Sequence, residues 1–98
     1  MDNYDEIMDN LINKGYELND NKFIKTRTQT HQMIINGTPF SQEETTTMTI
    51  EYGGEGYYED LDETNRVILY CFNIIKDGNL IGGLCVNNWD EFSSMLKI

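Results

Sequence analysis

Residues 66–75 read RVILYCFNII, and this stretch decides the fold because it is the most hydrophobic segment of the chain. Apolar residues occupy both its even and its odd positions, so both sides of a strand formed here would be apolar. Such a strand is buried on both faces and lies in the centre of a sheet. The turn sequence Lys76-Asp77-Gly78-Asn79 follows it, and residues 80–86 then return as the next strand. We therefore predict a hairpin with one central strand.

A second, longer hairpin is predicted before the central strand. Residues 23–35 and 42–52 are rich in threonine and β-branched residues, which favour strands. Asn36-Gly37 between them is a favoured type I′ turn pair, although Pro39 and Phe40 indicate a wider loop. Polar residues alternate with threonine along this hairpin, so we expect a solvated face and an extension beyond the core. The glycines of residues 53–56 are expected to break the second strand.

Two amphipathic helices flank the predicted strands. The first ends before Gly15, a typical C′ residue, and its apolar stripe at helical spacing consists of Tyr4, Ile7, Met8, Leu11 and Ile12. The second begins after Asn88, a predicted cap that Glu91 completes as a capping-box variant. The chain is therefore predicted to be a single acidic α+β domain over residues 1–98. It has a four-stranded antiparallel sheet in α-β-β-β-β-α order, with the helices on one face.

The charge balance limits the partners of the protein. Seventeen acidic residues outnumber seven lysines and arginines, which gives a formal net charge of -10. This excess opposes direct binding to nucleic acid or to an anionic membrane and favours a basic surface on another protein. A simpler interpretation is that the acids keep the protein soluble. No apolar run approaches the ~20 residues of a membrane span, and the N-terminus is acidic, unlike a signal peptide. We therefore predict a cytoplasmic protein.

The sequence predicts neither an enzyme nor a cofactor or metal site. It contains no evident nucleophile–base pair, phosphate loop or cluster of metal ligands. His31 is the single histidine and is expected to be a surface residue. Residues 60–65 resemble a calcium loop only faintly, because they lack the glycine and the terminal glutamate that such loops use.

The two cysteines are predicted to be reduced. If Lys76 pairs with Asn79 across the turn, continuing that register places Cys71 and Cys85 on opposite faces of the hairpin. A disulfide within the hairpin is then excluded by geometry. Two buried thiols suit a reducing compartment.

One segment combines acids with tyrosines and is the predicted partner-binding surface. Its members are Glu55, Tyr57, Tyr58, Glu59, Asp60, Asp62 and Glu63. Tyrosine among carboxylates offers rigid contact area with a polar end, and a row of carboxylates can occupy a basic groove meant for nucleic acid. The alternative is that the tyrosines pack inward and the acids form a solvated loop.

The central strand also predicts a second surface. Two helices can hardly cover both sides of the sheet, so one apolar side needs the long hairpin, a second subunit or a partner. The predicted dimer or packing face consists of Ile68, Tyr70, Phe72 and Ile74. Lys25 or Arg27 would add contacts at its rim.

In size and charge the chain resembles the small acidic inhibitors that phages and mobile elements carry, including anti-CRISPR proteins and DNA mimics. The residues that carry this resemblance are residues 55–63 and the acidic face of the first helix. The resemblance implies a non-enzymatic inhibitor in the cytoplasm of a bacterial host. It would dock its acidic surface onto a basic site of a nucleic-acid-handling protein such as a nuclease. Two alternatives remain: a homodimeric structural or assembly accessory protein, and an immunity protein against a basic toxin.

Overall fold

The computed structural model describes residues 3–59 and 66–98, with side chains for residues 3–56 and 68–98. In chain order its elements are helix α1 (Asn3–Asn13), strands β1 (Glu17–Asn19), β2 (Lys22–Ile35), β3 (Thr38–Glu59), β4 (Arg66–Lys76) and β5 (Asn79–Val86), and helix α2 (Trp89–Leu96). The strands described form one antiparallel sheet in the order β1-β2-β3-β4-β5.

The α+β class is confirmed, but the prediction of four strands is wrong, since the described part of the chain contains five. The additional strand is β1, whose three residues are all exposed. It pairs with the start of β2, where Leu18 lies opposite Phe23. A three-residue strand with no buried side chain has no hydrophobic pattern, so sequence periodicity does not detect it.

Both helices lie on the same face of the sheet, as the sequence predicts. The ring of Tyr4 in α1 lies with its centroid 4.6 Å from that of Tyr52, and the ring of Phe92 in α2 lies 5.1 Å from that of Phe72. Tyr52 is paired with Phe72 across β3 and β4, so the two side chains share one face. The core between this face and the helices consists of Ile7, Leu11, Tyr16, Phe23, Ile50, Tyr70, Phe72, Ile74, Leu84, Val86 and Phe92.

The helix termini follow the predicted signals. At the end of α1, Gly15 has a φ of 97° and the N–H of Tyr16 donates to the carbonyl of Leu11 at 3.1 Å, as in a Schellman motif. At the start of α2, the Asn88 side chain accepts from the N–H of Glu91 at 2.9 Å. One predicted core residue differs: Ile12 is exposed, because the sheet does not reach that side of the helix.

The hairpin of β2 and β3 projects far beyond the core. β4 ends opposite Met48 and β1 begins opposite Ile24, so residues 26–47 form a two-stranded ribbon with no third strand beside it, here called the arm. The molecule measures 69 × 24 × 21 Å, and ten residues of strand account for roughly 33 Å of that length. The expected extension beyond the core is therefore present.

The end of the arm is a tight turn, and the wider loop predicted from Pro39 and Phe40 is wrong. Asn36 and Gly37 have φ angles of 51° and 77°, as a type I′ turn requires. Ile35 pairs directly with Thr38, and Pro39 already lies within β3 opposite Ile34. Proline is tolerated here because one side of β3 has no neighbouring strand along the arm.

The glycines of residues 53–56 do not break β3, contrary to the prediction. The strand continues to Glu59, and its pairing with β4 shifts by one residue between Tyr52 and Gly54. Gly54 has a φ of 116°, which glycine adopts readily. The glycines therefore form a β-bulge, which lets the strand change register and continue.

The prediction of two reduced thiols on opposite faces is also wrong. Lys76 does pair with Asn79, but the register of β4 and β5 shifts by one residue at Ile81, between the pairs Ile75–Leu80 and Ile74–Gly82. Cys71 then lies directly opposite Cys85, with their Cα atoms 4.1 Å apart, and the two residues form a disulfide. The cystine lies on the side of the sheet away from the helices.

Candidate functional site

The structure describes part of the predicted acidic and tyrosine-rich surface. Glu55 is exposed on β3. The backbones of Tyr57, Tyr58 and Glu59 continue that strand, paired with Ile68, Val67 and Arg66 of β4. The remaining predicted site residues, Asp60, Asp62 and Glu63, lie outside the described residues.

The β-bulge determines which way Glu55 points. After the register shift, Glu55 lies opposite Tyr70, whose ring centroid is 5.8 Å from that of Tyr4 in α1. Residues paired across two strands project to the same face, so Glu55 lies on the helix side of the sheet. Without the bulge it would project to the opposite side, where the cystine lies.

Both helices begin at the same end of the sheet as Glu55. Asn87, which precedes the cap of α2, donates from its side-chain amide to the carbonyl of Ile68 in β4 at 2.8 Å. The Asn3 side-chain amide, at the start of α1, lies 3.5 Å from the Asn87 side-chain oxygen. The first turns of the two helices are therefore neighbours, and both lie beside the start of β4.

Each of these first turns carries two acids. Asp5 and Glu6 occupy the first turn of α1, and Asp90 and Glu91 occupy that of α2. Acids favour these positions because they offset the positive end of the helix dipole. Together with Glu55 they form a surface here called the acidic end. Sequence reasoning singled out the acids of α1 but missed those of α2, although their position directly after a cap residue was a usable signal.

Few of these carboxylates are neutralised within the described part of the chain. Two ion pairs occur there, Lys22–Glu51 at 3.7 Å and His31–Glu44 at 2.9 Å, and both lie away from the acidic end. Glu91 accepts a hydrogen bond from the Asn87 N–H at 2.9 Å. Asp5 also has an interaction partner. The remaining three carboxylates, those of Glu6, Glu55 and Asp90, have no ion pair with any described residue.

Cations gather at the opposite end of α1. The Lys25 ammonium donates to the carbonyl of Lys14 at 2.7 Å, which satisfies one of the last carbonyls of the helix. The same ammonium lies 5.6 Å from the ring centroid of Tyr16. Burial raises the pKa of the Tyr16 phenol above its ordinary value. This end of α1 thus carries Lys14 and Lys25, whereas Asp5 and Glu6 lie at its start.

The predicted dimer or packing face packs within the chain. Tyr70, Phe72 and Ile74 are buried under the helices, whereas Ile68 is exposed at the start of β4. The opposite side of the described sheet is mixed: it carries the Lys22–Glu51 pair beside Asn73, and also the apolar residues Leu69 and Ile75. The structure therefore gives no apolar sheet face to a dimer built on this set of residues.

The described side chains contain no group of three or more histidine, cysteine, aspartate or glutamate residues that could hold a metal ion. His31 is exposed on the arm and pairs with Glu44, which accounts for both side chains. Neither helix of the described chain has the length and apolar character needed to cross a bilayer.

The fold and this surface together define a small α+β protein with an acidic end and a projecting arm. The chain matches no protein-family model, no curated protein sequence and no solved structure.

Proposed function

We propose that this chain is a non-enzymatic binding protein that docks its acidic end onto a basic site of a nucleic-acid-handling protein. The observation that carries the proposal is the collection of carboxylates around two helix starts, where Glu6, Glu55 and Asp90 have no ion pair with any described residue. Carboxylates without an ion pair keep their negative charge, which attracts and orients a cationic partner.

The scaffold suits such a role because it holds the carboxylates in place. Glu55 belongs to a strand paired on its β4 side, and Asp90 follows a capped helix start. Charges carried on ordered strands and helices lose little backbone entropy on binding, which raises affinity. Residues 57–63 continue from Glu55 in sequence, and their acids and tyrosines are included in the proposed surface.

The proposed target is a protein whose basic groove normally holds DNA or RNA, such as a nuclease. The inhibitor would be of phage or mobile-element origin and would act in the cytoplasm of a bacterial host, without direct contact with nucleic acid or membrane. An immunity protein that neutralises a basic toxin would use the same physics. The identity of the recovered partner separates these two: an effector of host defence supports an inhibitor, and a toxin encoded beside this chain supports an immunity protein.

The test begins with recovery of the partner from host lysate on immobilised protein at low and at high salt. We expect a basic nuclease or polymerase that elutes as salt rises, because screening shortens the range of charge attraction. Its affinity is then measured with the triple variant Glu6→Lys, Glu55→Lys and Asp90→Lys. We expect the variant to lose at least 100-fold in affinity.

A matched control separates the acidic end from net charge. The variant Glu17→Lys, Asp20→Lys and Glu43→Lys changes the formal charge by the same amount at exposed positions elsewhere. We expect it to lose far less affinity than the acidic-end variant. Equal losses in the two variants would show that only total charge matters, and salt-insensitive binding would refute the proposal.

A further inference from the structure

The end of the arm is an exposed apolar surface. Met33, Ile34, Ile35 and Phe40 are all exposed, and Ile34 retains 78% of its accessible surface. Residues 28–42 contain no aspartate, glutamate, lysine or arginine in a chain that is 24% charged. Met33, Ile35 and Phe40 share one face of the ribbon, since Met33 pairs with Phe40, and Ile34 projects from the other face. Exposed apolar side chains at the far end of a ribbon contribute nothing to the core and are typical of an interaction surface. We call these four residues the arm tip.

A second apolar surface lies between β5 and α2. It is a groove with a cavity of about 220 Å³, lined by Ile74, Ile81, Gly82, Gly83, Leu84, Met95 and Leu96. Ile81 and Met95, which line it, retain 58% and 59% of their accessible surface. β5 is an edge strand of the described sheet, and residues 79–86 carry no charge. Edge strands are ordinarily protected by charges or proline, and β5 has neither.

We propose that the arm tip of one copy of this chain occupies the β5–α2 groove of a second copy, reciprocally, in a two-fold dimer. The tip cannot reach the groove of its own chain, because the arm holds it roughly 33 Å from the body. The groove, however, lies close to the base of the arm: Thr49 of β3 pairs with Ile75, and Ile75 pairs with Leu80.

This placement allows two copies to form the same contact reciprocally. If two arms lie side by side in opposite directions, the tip of each reaches the base of the other, which is where the groove of that copy begins. The same contact is then made twice about one axis, so the assembly ends at two copies. The convex apolar tip and the concave apolar groove are complementary in shape and in polarity.

Charge also favours a second copy at this surface. The arm carries one arginine against two glutamates, and β5 is uncharged, so the regions brought together are nearly neutral. The acidic ends lie at the far end of each body from the arms. Opposed arms therefore point the two acidic ends outward, and at physiological salt their repulsion is screened beyond about 8 Å.

The arms contribute about half of the area that a stable dimer needs. One face of the arm, about 33 Å long and about 10 Å wide, offers roughly 330 Å². Two such faces bury about 660 Å², and the two tip-in-groove contacts supply the remainder of the roughly 1,200 Å² that specific interfaces need.

The test is the mass of the protein in solution by sedimentation equilibrium. We expect twice the chain mass of 11.4 kDa for the wild type. Phe40→Asp at the tip and Ile81→Asp in the groove should each weaken the dimer at least about 30-fold, as hot-spot residues do. Ile12→Asp, at an exposed isoleucine of α1, is the control and should leave the dimer intact. Circular dichroism establishes that each variant is folded.

Mixing the two weakened variants distinguishes this arrangement from others. The Ile81→Asp copy has an intact tip and the Phe40→Asp copy has an intact groove, so a mixed dimer keeps one intact contact, whereas a dimer of either variant alone keeps none. An equimolar mixture should therefore associate more tightly than either variant alone. A wild type that stays monomeric, or a dimer that both substitutions leave unchanged, overturns the proposal. So does a mixture that associates no more tightly than either variant alone. Met33→Asp and Met95→Asp provide a second pair should either first variant fail to fold.

Discussion

The contact between Phe72 and Phe92 joins the second helix to the sheet, and its strength can be measured by a double-mutant cycle. The two rings meet edge to face, with centroids 5.1 Å apart and planes at 78°. Their side chains retain 2% and 0% of their accessible surface. Replacing either ring with leucine removes part of the buried apolar surface and should lower the free energy of unfolding by about 1–2 kcal/mol.

The double variant should lose less than the sum of the two single losses. Edge-to-face pairs contribute about 0.5–1.5 kcal/mol beyond their buried area. Either single substitution already removes that contribution, so Phe72→Leu with Phe92→Leu should fall short of additivity by that amount. A domain of this size has a free energy of unfolding of about 5–15 kcal/mol, which leaves the double variant folded.

The assay is urea unfolding followed by far-ultraviolet circular dichroism, with the fluorescence of Trp89 as a second probe. Trp89 stacks on Phe92 with ring centroids 5.5 Å apart, so its emission reports the same region. Coincident transitions from the two probes establish two-state unfolding. The control cycle pairs Phe72→Leu with Phe40→Leu on the arm and should be additive. Additivity within about 0.3 kcal/mol for the Phe72–Phe92 cycle would refute the inferred coupling.

Two further predictions concern the cystine and Tyr16. The bond between Cys71 and Cys85 closes a loop with a sequence separation of 14, so reduction should lower the free energy of unfolding by about 3 kcal/mol. Urea unfolding with and without a thiol reductant measures this loss, and the Cys71→Ser, Cys85→Ser variant should show no effect of the reductant. Because burial raises the pKa of Tyr16 above 10.0, the unfolded state loses this proton first, and stability present below pH 10 should decrease as pH rises through the folded-state pKa. Tyr16→Phe should remove this component in urea titrations at alkaline pH, and an unchanged pH dependence in that variant would contradict it.

Much of the fold was predictable because local chemistry and hydrophobic pattern agree. The apolar run of residues 66–75 did become a strand with one neighbour on each side, and Asn88 does cap the second helix. The most deeply buried residues of β4, however, all face the helices, whereas the other side combines the cystine with Asn73 and the half-buried Leu69 and Ile75. Apolar residues at both even and odd positions do not by themselves specify which face of the strand is more deeply buried.

The errors in the predicted pairing have one physical cause. Both β-bulges shift a register by one residue, and a one-residue shift exchanges the two faces of a strand. The shift at Ile81 brings Cys71 and Cys85 together, and the shift at Gly53 directs Glu55 toward the helices. Counting from a turn assumes continuous pairing, and the residue type at Ile81 does not indicate a bulge. Gly53 is compatible with a bulge, but it was interpreted as the end of the strand.

The sequence predicted the acidic character of the candidate site but not the full set of residues that form it. Composition predicts an acidic surface, and Glu55 does lie at the end of the sheet where acids gather. The two helix starts lie close together because of tertiary packing, in which Asn87 contacts both β4 and Asn3. Those contacts join residues far apart in the chain, which spacing along the sequence does not reveal.

The bulge at Ile81 has a consequence for how this protein can change during evolution. Loss of that single codon would remove the extra residue, and uninterrupted pairing would then still place the two cysteines directly opposite each other. The covalent crosslink would therefore survive this deletion, because the bulged residue forms no part of it. Related genes that keep both cysteines but lack this one codon would therefore encode proteins with the same crosslink.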